Sequence, residues 1–185
     1  MEIKIHSYLS ASFQLKNEPN MWDAIVVLDS DLIPTEFVAK NSRRHLYLRF
    51  DDVSADKKGK RCPTLDDLQN ALRFAELSKR LLVCCRAGQS RSAGLAFAIA
   101  CKFCSPIDAI ALLNPKRHNP NLLLVKLANE LLDNPNVLLT LEEWRSRNKN
   151  IRPSEFVDDL DKDFRELERL GARNLIVSPE KGEKG

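Results

Sequence analysis

Leu81-Leu82-Val83-Cys84-Cys85-Arg86-Ala87-Gly88-Gln89-Ser90-Arg91-Ser92-Ala93-Gly94 opens on an apolar run of strand length, passes through a short glycine-containing segment and leaves into small and apolar residues. That order predicts a strand, a tight loop and a helix. Successive backbone N–H groups of such a loop point inward, and the helix N-terminus adds partial positive charge, so the segment is suited to cradle an anion. Cys85 and Arg91 stand within it at Cys-x5-Arg spacing. The bare spacing is weak, and the strand–loop–helix context gives it meaning. Gly88 lets the backbone curl closely, and Arg91 brings two parallel N–H donors that fit phosphate oxygens. A field that attracts phosphate also favours thiolate over thiol, which makes Cys85 the candidate nucleophile. Ser92 is placed to hydrogen-bond the sulfur. Arg86, Ala87, Gly88, Gln89 and Ser90 are the candidate phosphate-binding residues.

Working outward, Ala24-Ile25-Val26-Val27-Leu28 is short, apolar and bounded by Asp23 and Asp29, as expected of a strand buried on both faces. Further strands are predicted at Met1 to His6, His45 to Phe50 and Leu81 to Cys84. Thr64 is placed as an N-cap, Asp66 and Asp67 suit the positive helix end, and Leu65, Leu68, Leu72 and Ala75 share one face. Ser92 to Phe103 predicts a helix buried nearly all round. Ser105 and Pro106 begin a short helix, and Leu122 to Leu132 predicts another after Pro120-Asn121. Strands alternating with helices indicate an α/β fold, a central mixed, mostly parallel sheet flanked by helices. The expected organisation is a catalytic domain over 1–140, a basic connector over 141–153, a helical extension over 154–179 and a disordered tail over 180–185. In the extension Ser154 is the expected cap, Phe156, Leu160, Phe164 and Leu167 form an apolar stripe, and Gly171 ends the helix. That stripe packs on its own domain or forms a homodimer contact.

The chain has 185 residues with 29 Lys and Arg against 26 Asp and Glu, a balance too even to mark a nucleic-acid or membrane partner. Met1 to His6 alternates rather than forming the apolar core of an export signal, and no run reaches the roughly 18 apolar residues of a membrane span, so a cytoplasmic protein is expected. Five cysteines in such a chain point to reduced thiols. Cys101 and Cys104 form a lone C-x-x-C with no second pair to complete a zinc site, so both are expected to pack in the core and no metal is expected.

Cys85, Gly88, Arg91 and Ser92 match the His-Cys-x-x-Gly-x-x-Arg-Ser/Thr signature of the cysteine-based tyrosine and dual-specificity phosphatases, and the chain resembles the compact bacterial members over about residues 20–135. The segment Asn114-Pro115-Lys116-Arg117-His118-Asn119-Pro120-Asn121 resembles the Arg-Pro and Pro-Asn element of dual-specificity enzymes, which is mainly structural. The resemblance implies a cysteinyl-phosphate intermediate, no cofactor, and one aspartate on a nearby loop as general acid and base. Asp52 is the preferred acid and Asp51 the second choice. The implied substrate is a phosphorylated protein or a small phosphorylated molecule, with an inositol phosphate considered because Arg86 follows the nucleophile. Cys84 stands where the family has histidine. That departure motivates an alternative, a phosphate-binding module of weak or absent activity, and a reversible Cys84–Cys85 disulfide is a further redox reading. A sulfurtransferase with a cysteine loop is a third functional class, in which Asp52 and Ser92 have no evident role.

Overall fold

The structure, a computed structural model, describes residues 1–55, 57–151 and 153–177, the side chains of 153–160 excepted. Strands β1 (Glu2–Ser7), β2 (Asp23–Leu28), β4 (Arg44–Arg49) and β5 (Arg80–Cys85) form a sheet in the order β1-β5-β2-β4, every pairing parallel. β3 (Ile33–Pro34) and β6 (Ile176–Val177) pair antiparallel as a separate ribbon. The sheet is an α/β sheet as the alternating pattern predicts, and the antiparallel component lies outside it.

β2 is buried at every position, so its side chains divide cleanly between two cores. Ala24, Val26 and Leu28 join Leu82 and Cys84 of β5 in a core closed by α1 (Tyr8–Asn17) and α2 (Glu36–Asn41). Ile25 and Val27 join Leu81, Val83 and Cys85 in the larger core, beneath α3 (Leu65–Glu76), α4 (Arg91–Phe103), α6 (Leu122–Leu131) and α7 (Asn136–Arg147). Between α4 and α6 lies α5 (Pro106–Ala109), capped by Ser105 as expected. The period-two alternation of β5 therefore sends its two terminal cysteines to opposite faces.

Thr64 caps α3 in a reciprocal capping box with Asp67. Leu68, Leu72 and Ala75 are buried on its inner face, whereas Leu65 is exposed. Residues Arg91 to Cys101 of α4 are all buried. Cys101 packs in the larger core, where burial pushes its thiol up to about 12, but Cys104 is exposed at the helix end, so the packing expected of both holds for Cys101 alone.

The stretch expected as a connector over 141–153 is helical through Arg147, because Val137 and Leu141 anchor α7 in the larger core. Helix α8 (Pro153–Arg169) starts one residue ahead of the expected Ser154 cap, with proline at the first turn. The side chains of Ser154, Phe156 and Leu160, and the tail 180–185, lie outside the described residues. Phe164 and Leu167 are half-buried, and α8 packs against α1. Gly171, at φ +84°, ends the helix with Ala172 N–H bonded to Leu167 O and Gly171 N–H to Glu168 O, a Schellman pattern. Leu175 then fills the smaller core, and its carbonyl accepts from Thr35 N at 2.9 Å.

Candidate functional site

In an all-parallel sheet every strand ends on the same side, so the loops after β1, β5, β2 and β4 gather at one edge. The strand order then decides which loops meet. β1 neighbours β5, so the loop after Cys85 folds over the end of β1; β2 lies between β5 and β4, so its last residues separate the cysteine loop from the aspartate loop.

Gly88 records the first contact. Its φ is +72°, and a Cβ there would stand 2.5 Å from Ser7 N and 2.7 Å from His6 C. Only glycine fits. Cys85 ends β5 at 2 % exposure, with Sγ 3.1 Å from Ser92 Oγ at the start of α4. Ser92 is fully buried, so its hydroxyl is held for the sulfur rather than shared with water.

Arg91 is 3 % exposed. Its Nη1 donates to Phe50 O at 2.9 Å and pairs with Asp29 Oδ1 at 2.6 Å, while its Nε is buried without a hydrogen-bond partner among the described residues. Burial alone pulls its pKa down, but the negative charge of Cys85 and Asp29 outweighs this and raises it, so the guanidinium is a permanent cation. One nitrogen is thus committed to holding the arginine in place, and the unpartnered Nε marks the edge left for an anion. Asp29, which follows β2, was not singled out in the sequence. Nothing local in Leu28-Asp29-Ser30 signals its role, which depends on β2 lying beside β5.

The adjacent aspartates after β4 part company. Asp51 is 3 % exposed and accepts from Ser30 Oγ at 2.8 Å, Arg61 N at 2.9 Å and Lys60 Nζ at 3.4 Å. Burial pushes its pKa up, but these donors outweigh that and hold it below the usual carboxylate range. It ties Asp51 to Arg61 across the loop. Asp52 is exposed, and its Oδ1 accepts from Ser90 Oγ at 2.7 Å and Asn121 Nδ2 at 2.9 Å. A carboxylate from one strand end is therefore fastened to the cysteine loop of another.

Asn121 ends the segment 114–121 that resembles a mainly structural element of dual-specificity enzymes, one that supports the cradle through polar contacts, and it is also the helix start read at Pro120-Asn121. Its Oδ1 caps α6 through Leu124 N, its N–H donates to Ser90 O at 3.0 Å, and its Nδ2 reaches both Asp52 and Val53 O. A Cβ on Gly94 would lie 3.0 Å from Asn121 N and O, so α4 carries glycine where this clamp passes. His118 accepts from Asn114 N at 2.9 Å through Nδ1, and burial, with Arg117 nearby, lowers it to about 4, so it is neutral and structural.

Of the remaining loop residues, Arg86 is 73 % exposed, with Nη1 3.9 Å from Asp29 Oδ2. Gln89 O accepts from Asn119 N at 3.0 Å. Cys84 is fully buried beside Tyr8 and Leu82, where burial raises its thiol well above the ordinary value. It faces away from Cys85, and both thiols are free, which removes the geometric basis for a vicinal disulfide.

No protein-family model matches the chain, and no curated protein matches it in sequence. Solved structures do. PTPMT1 in complex with PI(5)P superposes with a TM-score of 0.50 at 15 % identity, covering 71 % of this chain and 93 % of that one. The active form of Tk-PTP superposes with a TM-score of 0.50 at 20 % identity, covering 71 % and 90 %. The chain has the tyrosine-phosphatase-like fold.

Proposed function

We propose that the protein hydrolyses phosphomonoesters through a cysteinyl-phosphate on Cys85. The carrying observation is the convergence on one loop of the Cys85 thiol, the Arg91 guanidinium with its buried, unpartnered Nε, and the Asp52 carboxylate held by Ser90 Oγ. In the first step the Cys85 thiolate attacks phosphorus, an S–P bond forms, and the P–O bond to the leaving group breaks as protonated Asp52 delivers its proton to that oxygen. In the second, Asp52 takes a proton from water as the water attacks phosphorus and the S–P bond breaks. Ser92 Oγ–H stabilises the departing thiolate, while Arg91 and the loop N–H groups hold the phosphoryl oxygens throughout. Arg86, Ala87, Gly88, Gln89 and Ser90 supply that loop.

Asp52 is the acid rather than Asp51, because Asp51 is buried under three donors that favour its charged form, whereas Asp52 is open to solvent beside the loop. A second reading, phosphate binding without turnover, is favoured by Cys84, which lies in the opposite core and brings no polar atom to the loop.

Turnover of para-nitrophenyl phosphate tests both. The wild type turns it over, Cys85→Ser does not, and Asp52→Asn is slowed. Wild-type binding of vanadate with no turnover selects the second reading.

A further inference from the structure

The strand β6 brings the far end of the described chain back to the catalytic edge. After α8 the chain reverses at Gly171, and Arg173 N donates to Ser12 Oγ of α1 at 2.7 Å. Leu175 is fully buried in the smaller core with Trp22 and Leu28. β6 then pairs with β3, Pro34 opposite Ile176 and Ile33 opposite Val177. β6 is only two residues long, yet a buried leucine before it and a backbone pairing along it fix where its side chains stand. Only residues 29–32 join β2 to β3, so the partner of β6 is tethered to the aspartate that holds Arg91.

Ile176 comes by this route to the mouth of the cysteine loop. A recess of about 430 Å³ there is lined by Asp29, Asp52 and Arg86 of the site and by Leu32 and Ile176. Leu32 and Ile176 are its only apolar residues among the described ones, every other being Asp, Lys or Arg. Leu32 is buried, and Ile176 is half-buried against the smaller core, so together they make one apolar wall in a charged mouth. Four carboxylates meet two cations around this recess, a surplus that works against a leaving group carrying further phosphates.

We propose that β6 is part of the substrate site. Ile176, with Leu32, is the surface against which the leaving group lies, and the substrate is a phosphomonoester of an alcohol or phenol with a bulky apolar body. This rests on the phosphatase reading above, in which Asp52 protonates the leaving oxygen and so directs the leaving group into the recess that Asp52 lines. It adds a specificity-determining residue from outside residues 20–135, over which the chain resembles the phosphatases. A contact of this kind acts through apolar area removed from water, so it favours a large leaving group over a small one of equal reactivity.

The test compares 2-naphthyl phosphate with phenyl phosphate, whose leaving groups are of similar acidity, so that a difference reads contact rather than chemistry. The wild-type ratio of kcat/KM is expected to favour the naphthyl ester about tenfold, through KM. In Ile176→Ala the ratio falls to about twofold or less, and in Ile176→Val it lies between. Val177→Ala, which alters the exposed neighbour on the same strand, leaves the ratio at its wild-type value. A wild-type ratio near one overturns the wall while leaving catalysis standing. So does a ratio unchanged in Ile176→Ala with both rates reduced, the mark of a purely structural residue. Faster turnover of an inositol bisphosphate than of 2-naphthyl phosphate overturns the apolar leaving group.

Calorimetric binding to Cys85→Ser separates this proposal from the phosphatase reading. Tighter binding of 2-naphthyl phosphate than of phenyl phosphate, lost when Ile176→Ala is added, keeps the wall even where the wild type turns neither over. Equal binding of the two overturns it.

Discussion

A pair of identical residues stands at the end of β5, Cys84-Cys85, and another just past the end of β4, Asp51-Asp52. In each pair one member is locked into structure and the other faces the shared site. Asp51 is buried under donors from Ser30, Lys60 and Arg61, whereas Asp52 is exposed and hydrogen-bonded to Ser90 of the neighbouring loop. Cys84 is sealed in the smaller core, whereas Cys85 meets Ser92 in the larger one. Identical side chains one residue apart acquire different chemistry from the face they are turned toward and the donors they find there. For the cysteines the strand period sets the face. For the aspartates, just past the strand, the loop's hydrogen bonds set it.

The largest effect expected is at Cys85. Cys85→Ser lowers kcat on para-nitrophenyl phosphate by at least about 10⁴-fold, since removal of a nucleophile leaves only binding and electrostatics. Cys84→Ser keeps turnover within a few-fold; a loss comparable to that of Cys85→Ser breaks the comparison. Next is the aspartate pair. Asp52→Asn lowers kcat about 10²- to 10⁴-fold and removes one limb of the pH–rate profile, as loss of a general acid and base does. Asp51→Asn instead lowers stability by about 1–3 kcal/mol, measured by urea unfolding, because an amide cannot accept at both oxygens and leaves a buried donor unmatched. A reversed order, with Asp51→Asn the slower enzyme, contradicts the assignment.

Smaller effects sharpen the same contrast. Cys84→Ser places a hydroxyl in an apolar core and costs about 1–3 kcal/mol of stability. The Asp51 contribution is also pH-dependent. A carboxylate whose folded pKa is depressed stabilises fully above its unfolded value of ~3.9, and that stabilisation is lost as pH falls through the folded value. The stability gap between wild type and Asp51→Asn is therefore constant above about pH 5 and narrows on further acidification. A gap that widens in acid contradicts the depressed pKa.

Much of this was legible in the sequence because the signals are local. The apolar runs of β2 and β5, the Thr64 cap and the loop spacing each lie within a dozen residues, and the structure places them as read. Asp29 was not legible as a site residue, and for Asn121 only its place in a supporting element was legible, not its partners. Asp29 matters because β2 is inserted between β5 and β4, strands distant in sequence, and Asn121 because α6 starts where α4 has a glycine. Helix α7 lacks a side-chain cap and has a polar second half, so its basic residues read as a connector until Val137 and Leu141 are seen in the core. Cys104 is three residues after Cys101 and would share its face in a continued helix, but α4 stops at Phe103 and Cys104 is already extended at φ −147°.

The central claim, that chemistry belongs to Cys85 alone of the adjacent pair, is tested most directly by trapping the intermediate. Turnover of para-nitrophenyl phosphate is quenched in acid, and the phosphorylated residue is located by mass spectrometry. The account predicts a phosphoryl group on Cys85, absent from Cys85→Ser and retained in Cys84→Ser. A phosphoryl group on Cys84 or on a non-cysteine residue, or steady turnover with no phosphorylated residue, would contradict it.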